Sequence, residues 1–384
     1  MAIPPLLKDL NERTVLEAIR EEAPISRAEI SRRAGISKPT VSLALQSLLD
    51  AGLVREAKVD PGRPSYGAVF FEPVPDAALV LGLDLGSRFL RGAVCDLGGR
   101  IRTRQDVEAD AGGADWVLDV VAGLRDSLVA AAGASDGQLD GVVAGIPGVV
   151  TGSGEIRLAL NVPRLEGRKF GEELAARLEV PVTLENDINL AALGERWQGV
   201  ARGVDNFMFL SIGAGLGAGL VLDGELKRGR HGAAGELDYA RAGRDDDFDP
   251  CAAAASALAA RLAEGKETML APPFDTREIF TAARGRDAVA RAVVAELARR
   301  IALHIVPIAA VADVELVVLG GGLGTNGDLL LGPVRAHLDE WLPFPPRVEV
   351  SMLGDAAVLT GALAVGRQAA LENVFANRSA RRLG

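Results

Sequence analysis

Apolar positions between residues 37 and 49 recur at helical spacing. Val41, Leu45, Leu48 and Leu49 share one face, which predicts a half-buried helix, and Lys38, Thr40, Ser42 and Gln46 are left for the other side. Ser37 suits the N-cap, where a hydroxyl accepts from a backbone N–H of the first turn, and Pro39 tolerates early-helix geometry. Upstream, Ser26-Arg27-Ala28-Glu29 reads as a capping box and Gly35 as a helix stop. Two helices joined by Ala34-Gly35-Ile36-Ser37 make a helix-turn-helix, the second helix offering donors to phosphates and base edges. Beyond Val54-Arg55-Glu56, the segment Asp60-Pro61-Gly62-Arg63-Pro64-Ser65 precedes strand-like residues 66–71. That pattern predicts a wing whose prolines hold Arg63 extended for a minor groove. The candidate DNA contacts are Arg27, Ser37, Lys38, Pro39, Thr40, Ser42, Gln46 and Arg63.

The pattern changes around Pro73 and Pro75, which read as a linker over 74–78 closing a head of residues 1–73. A buried strand over 78–85 runs into the Gly86-Ser87 turn, and a second covers 90–96. Helices near 116–132 and 170–178 then alternate with strands over 141–146 and 180–184, the signature of an α/β fold with buried sheets. Later helices are expected over 252–264, 276–283 and 287–311, with a break at Gly285 and a kink at Pro307. Arg291, Arg299 and Arg300 are expected to face solvent. Strands over 314–319 and 348–352 flank a helix after Gly327, and Gly354 opens a last long helix.

A chain of 384 residues with few aromatics and abundant alanine suits two or three packed domains. It holds no apolar run long enough to span a bilayer, and its N-terminus lacks a signal-peptide pattern, so a cytoplasmic location is expected. The net charge of −10 argues against nucleic acid until it is divided along the chain. Residues 1–73 carry ten residues of each sign, so the whole deficit lies in the remainder. Only local basic residues of the head are then available to phosphates, and non-specific binding should be weak and salt-dependent. Cys95 and Cys251, the only cysteines, allow neither a disulfide framework nor a cysteine-rich zinc site.

Four motifs stand in order after the linker. Glu185-Asn186-Asp187 enters an alanine-rich helix, Ser211 to Gly219 is glycine-rich, and Arg228 to Glu236 and Gly320-Gly321-Gly322 follow. With Asp84-Leu85-Gly86 ahead of them, this arrangement resembles the ROK family of repressors, open reading frames and kinases, from about residue 78 to the end. The resemblance implies a two-lobed actin-like, ribonuclease H-like sugar-kinase fold behind a winged helix-turn-helix. It places the first lobe at 79–195, with residues 355–384 packing back on it, and the second at 196–354. It implies a sugar held by Asn161, Asn186, Asp187 and Glu236, with Tyr239 or Asp238 reshaping the pocket, and Asp187 as the general base if the chain is a kinase. Asp84, Gly86, Gly213, Gly215, Gly217 and Gly321 correspond to phosphate loops.

The departures from the kinases carry as much weight. Gly86-Ser87-Arg88 replaces a Gly-Gly-Thr-like turn, and Gly213-Ala214-Gly215 replaces Gly-Thr-Gly, so the small hydroxylated residues at the ATP phosphates are gone. The family's zinc-binding histidine and cysteine cluster are missing, and His231, His304 and His337 are not at ligand spacing. No metal and no cofactor is therefore expected. The implied function is a sugar-responsive repressor binding operator DNA as a homodimer or homotetramer, away from membranes. The alternative is an ATP-dependent sugar kinase with an accessory DNA-binding head.

Overall fold

The structure is a computed structural model describing residues 5–58, 68–110, 112–238 and 248–381. The expected wing tip with Arg63, and Tyr239, lie outside the described residues.

The head comprises α1 (Pro5–Glu22), β1 (Ile25–Ser26), α2 (Arg27–Ala34), α3 (Lys38–Asp50), β2 (Val54–Glu56) and β3 (Phe70–Pro73), with β3 between β1 and β2. The capping box forms as expected: the Ser26 hydroxyl accepts from Glu29 N, and the Glu29 carboxylate accepts from Ser26 N at 3.0 Å. Gly35 closes α2 at φ 64°, a left-handed conformation in which a side chain would be strained. Ser37 caps α3, whose buried face is Val41, Ala44, Leu45, Ser47 and Leu48. Ser26→Ala, which removes one orphan donor's partner, is expected to lower stability by about 1 kcal/mol, read from the urea midpoint.

The first lobe contains β4 (Leu79–Leu85), β5 (Phe89–Asp96), β6 (Ile101–Glu108), α4 (Ala114–Ala131), β7 (Leu139–Ile146), β8 (Val149–Val150), β9 (Ile156–Arg157), α5 (Phe170–Leu178), β10 (Val182–Asn186) and α6 (Asp187–Gln198). The second contains β11 (Phe207–Ile212), β12 (Leu216–Leu222), β13 (Glu225–Leu226), α7 (Ala252–Ala263), α8 (Thr276–Arg284), α9 (Ala288–Ala312), β14 (Leu316–Gly320), α10 (Gly321–Gly324), α11 (Gly327–Trp341) and β15 (Arg347–Val350), followed by α12 (Ala357–Arg381). Their sheets have orders β10-β7-β4-β5-β6 and β13-β12-β11-β14-β15. In each, the first strand lies centrally, pairs antiparallel with the next and parallel with a later one, so the two lobes repeat one topology.

Helix α12 returns to pack on β4, β7 and α6. Its Leu363, Ala370 and Leu371 share one apolar cluster with Leu16 and Ile19 of α1 and Leu97 of the first lobe, so head and body have a continuous core. The segment between β3 and β4 is fastened to both head and body at its start, Val74 N donating to Leu53 O at 2.8 Å and Leu97 N to Pro75 O at 3.0 Å.

One expectation is corrected here. Arg300 does not face solvent: it is 2% exposed on the core side of α9, donating from Nε to Glu296 at 2.9 Å and from Nη1 to the Asp249 carbonyl at 2.8 Å. Hydrogen bonds from Arg299 and then Arg300 pull the Glu296 carboxyl down to about 2, which keeps this partly buried group ionised beside the guanidinium.

Candidate functional site

Two adjoining cavities of about 640 and 300 Å³ open between the lobes and share Pro147, Asn161, Asp187, Ile188 and Ser211. Local hydrogen bonding sets the position of Asp187. At the end of β10, Asn186 caps α6 by accepting from Asn189 N at 3.0 Å, and its amide donates to Gly148 O at 3.0 Å. Glu185 accepts from Asn186 N and Asn189 Nδ2, both at 2.9 Å, and pairs with Arg228. Asp187 is thereby the first residue of α6, half-buried where the cavities meet.

Its environment disfavours charge. Burial pushes the Asp187 carboxyl up to about 7, helped by the negative potential of Asp84 and, less, of Glu236. Glu236 is itself raised by burial and then by Asp238. Asp84 is raised by burial, which outweighs the opposing Arg91 guanidinium 2.8 Å away. Clustered carboxyls of this kind suit a neutral ligand rich in hydroxyl donors and repel an anionic one.

The smaller cavity brings together the expected Asn161, Asn186, Asp187 and Glu236, with Gly213, Gly215 and Gly217. Asn186 contributes to the wall, but both ends of its amide already hold the loop and helix in place. Leu158 and Leu160, not anticipated, line the same space; Leu160 is 82% exposed, an apolar surface for the C–H face of a ring. Asp84, Gly86 and Gly321 line the larger cavity instead, so the residues read as phosphate loops divide between two spaces. Gly219 of β12 has a packing duty: a Cβ there would lie 2.8 Å from the Ile188 carbonyl oxygen, backbone of α6 that cannot swing aside, whereas at Gly217 it would meet only the end of the Ile188 side chain. The larger cavity also receives Arg277 from α8 and Asp355 from the turn before α12, which no local pattern signals.

In the head, Arg27, Ser37, Lys38, Pro39 and Gln46 are exposed and Thr40 and Ser42 are half-buried. Several of their polar groups are held within α3. The Ser37 and Thr40 hydroxyls are 2.8 Å apart, Ser42 donates to Lys38 O at 2.9 Å, and Gln46 donates to Asp50 at 2.7 Å.

A profile described as ROK family matches residues 80–369. The chain belongs to the ROK family. Ahead of the ROK region, a profile described as winged helix-turn-helix DNA-binding matches residues 8–55. The chain is 26% identical to the xylose repressor of Caldicellulosiruptor bescii, over 94% of this chain and 96% of that one. A solved ROK family transcriptional regulator, a homologue of the E. coli MLC protein, superposes with TM-score 0.80 at 24% identity, covering 96% of this chain and 98% of its own. The ROK glucokinase of Streptomyces griseus, solved with glucose and AMPPNP, has TM-score 0.62 and 26% identity, covering 76% of this chain and 100% of its own.

Within this ROK cleft the residues present fit a metal–nucleotide poorly. Asp84 is compensated by Arg91, which also reaches to within 3.4 Å of Asp106, so its charge has a resident partner. Arg88 adds a bulky cation to the larger cavity, and Ala214 a methyl group to the glycine hairpin of the smaller one. No helix among the described residues is long and apolar enough to cross a membrane.

Proposed function

We propose that this chain is a cytoplasmic transcriptional repressor that binds operator DNA through its head and a sugar through its ROK domain, acting as a homodimer or homotetramer. One observation carries the reading: the Asp187–Glu236–Asn161 cavity lies in a body that shares a continuous apolar core with a winged helix-turn-helix. Sugar hydroxyls would donate to Asp187 and Glu236 while Leu158 and Leu160 cover the ring. Two heads related by two-fold symmetry would reach major-groove faces about 34 Å apart on a palindromic site. Sugar alters DNA affinity only if it binds the DNA-competent and released forms unequally, and closure of the lobes supplies that difference.

The test is fluorescence anisotropy on the chain's upstream DNA at fixed salt, titrated with pentoses, hexoses and N-acetylated amino sugars. The xylose repressor relative makes pentoses the first arm. One sugar is expected to shift the binding curve without ATP; unchanged operator affinity across the panel sinks the reading.

A kinase reading draws support from Asp187, whose carboxyl near 7 would suit a general base. The Asp84–Arg91 pair, Arg88 and Ala214 oppose it. Sugar-dependent ADP release at background level is the expected result, and turnover lost in Asp187→Asn would reverse that assignment.

A further inference from the structure

The centre of the exposed face of α3 is apolar. Pro39, Leu43, Gln46 and Asp50 are exposed and follow one another at helical spacing, on the side opposite Val41, Leu45 and Leu48. Leu43 is 63% exposed there, between Pro39 and Gln46. A solitary exposed leucine elsewhere would need no explanation. This one occupies the second helix of a helix-turn-helix, the element that enters the major groove.

In that groove every base pair presents hydrogen-bonding groups, and one edge adds an alkyl group: the thymine 5-methyl. A leucine offers no donor or acceptor and gains only by covering carbon, so its complement on DNA is that methyl. Charge sharpens the argument. Because residues 1–73 carry equal numbers of acidic and basic side chains, phosphate attraction is modest and base-edge contacts bear more of the affinity.

We propose that Leu43 determines operator specificity by packing on a thymine methyl in each half-site. The assignment rests on the DNA-binding reading of the head.

The full-length chain is used to select its site from a random duplex pool, and each thymine of that site is then replaced singly by uracil, which removes the methyl and nothing from the pairing edge. At one thymine per half-site, uracil is expected to weaken wild-type binding about fourfold, the value of one buried methyl. Leu43→Ala, on the protein surface, is expected to keep the wild-type Tm and to bind the thymine and uracil duplexes equally, with Leu43→Val intermediate. The proposal is overturned if no uracil weakens wild-type binding, or if the penalty is unchanged in Leu43→Ala. It is equally overturned if Leu43→Ala alters only the oligomeric state, which would make Leu43 a protein contact. Selection of no sequence at all would instead remove the DNA-binding reading, and this assignment with it.

Discussion

Asp187→Asn is expected to raise the sugar concentration needed for operator release about 100-fold, with sugar-free operator affinity unchanged. A hydrogen bond to a charged group is worth roughly 1.5–3 kcal/mol, and about 2.7 kcal/mol corresponds to the stated factor. The change is isosteric, and the Asn Oδ1 can still accept from Ile188 N, which lies 2.9 Å from Asp187 Oδ1. The helix start therefore survives while two equivalent acceptors become one acceptor and one donor.

The same residue gives a pH signature. With the Asp187 carboxyl at about 7, its acceptor form grows as pH rises from 6 to 8, so sugar affinity should increase over that interval in the wild type and stay flat in Asp187→Asn. Stability moves the opposite way. The native carboxyl keeps its proton between about 4 and 7, where the unfolded chain has released it, so the unfolded state binds fewer protons and stability falls as pH rises through that window. Glu236 and Asp84, both raised, add to the slope with the same sign. Sugar-free Tm measured from pH 4 to 8 should decline towards pH 7 and level off above it, less steeply in the variant. A sugar response in Asp187→Asn equal to wild type would remove Asp187 from the binding site.

Local signals carried most of this architecture because they are local in origin. The Ser26–Glu29 box, the Gly35 stop and the Ser37 cap are decided within four residues, and all three form. Strand β6 left no such trace. Ile-Arg-Thr-Arg-Gln-Asp-Val-Glu is an edge strand exposed or half-exposed along its length, so no buried face imprints an apolar alternation on it. Arg300 misleads for the converse reason: arginine is normally a surface residue, and although Glu296 lies one turn back on the same helix, the Asp249 carbonyl reaches Arg300 only once the segment before α7 folds against α9. The division of the glycine loops between two cavities is likewise tertiary, since Gly86 and Gly321, far apart in sequence, meet at one space and Gly213, Gly215 and Gly217 face the other.

The second large effect is expected at the crossing of α6 and α12. A Cβ on Gly361 would sit 1.8 Å from the Leu190 carbonyl oxygen, and one on Gly194 would sit 2.3 Å from the Ala357 oxygen. Both obstacles are backbone, which cannot swing aside. Gly361→Ala must therefore lift α12 off α6, at a cost of about 3 kcal/mol. Fully buried Glu195 fixes the same crossing by accepting from Ser351 Oγ at 2.5 Å and Leu353 N at 3.3 Å. The consequence reaches further than stability, because α12 touches both functional ends of the chain. Its first residues, Ala357 and Val358, line the larger cavity. Its Leu371 packs in the cluster that contains α1, and Arg367 donates to Leu97 O at 2.7 Å. A helix held against α6, which itself begins at Asp187, would on the proposed reading carry a closure of the lobes to the head. Gly361→Ala is thus expected to keep sugar binding, read by thermal shift, and to lose most of the sugar's effect on operator affinity. Gly194→Ala wedges the same contact, so the double variant should cost less than the two single costs combined. Wild-type stability and wild-type induction in Gly361→Ala would show that the crossing transmits nothing.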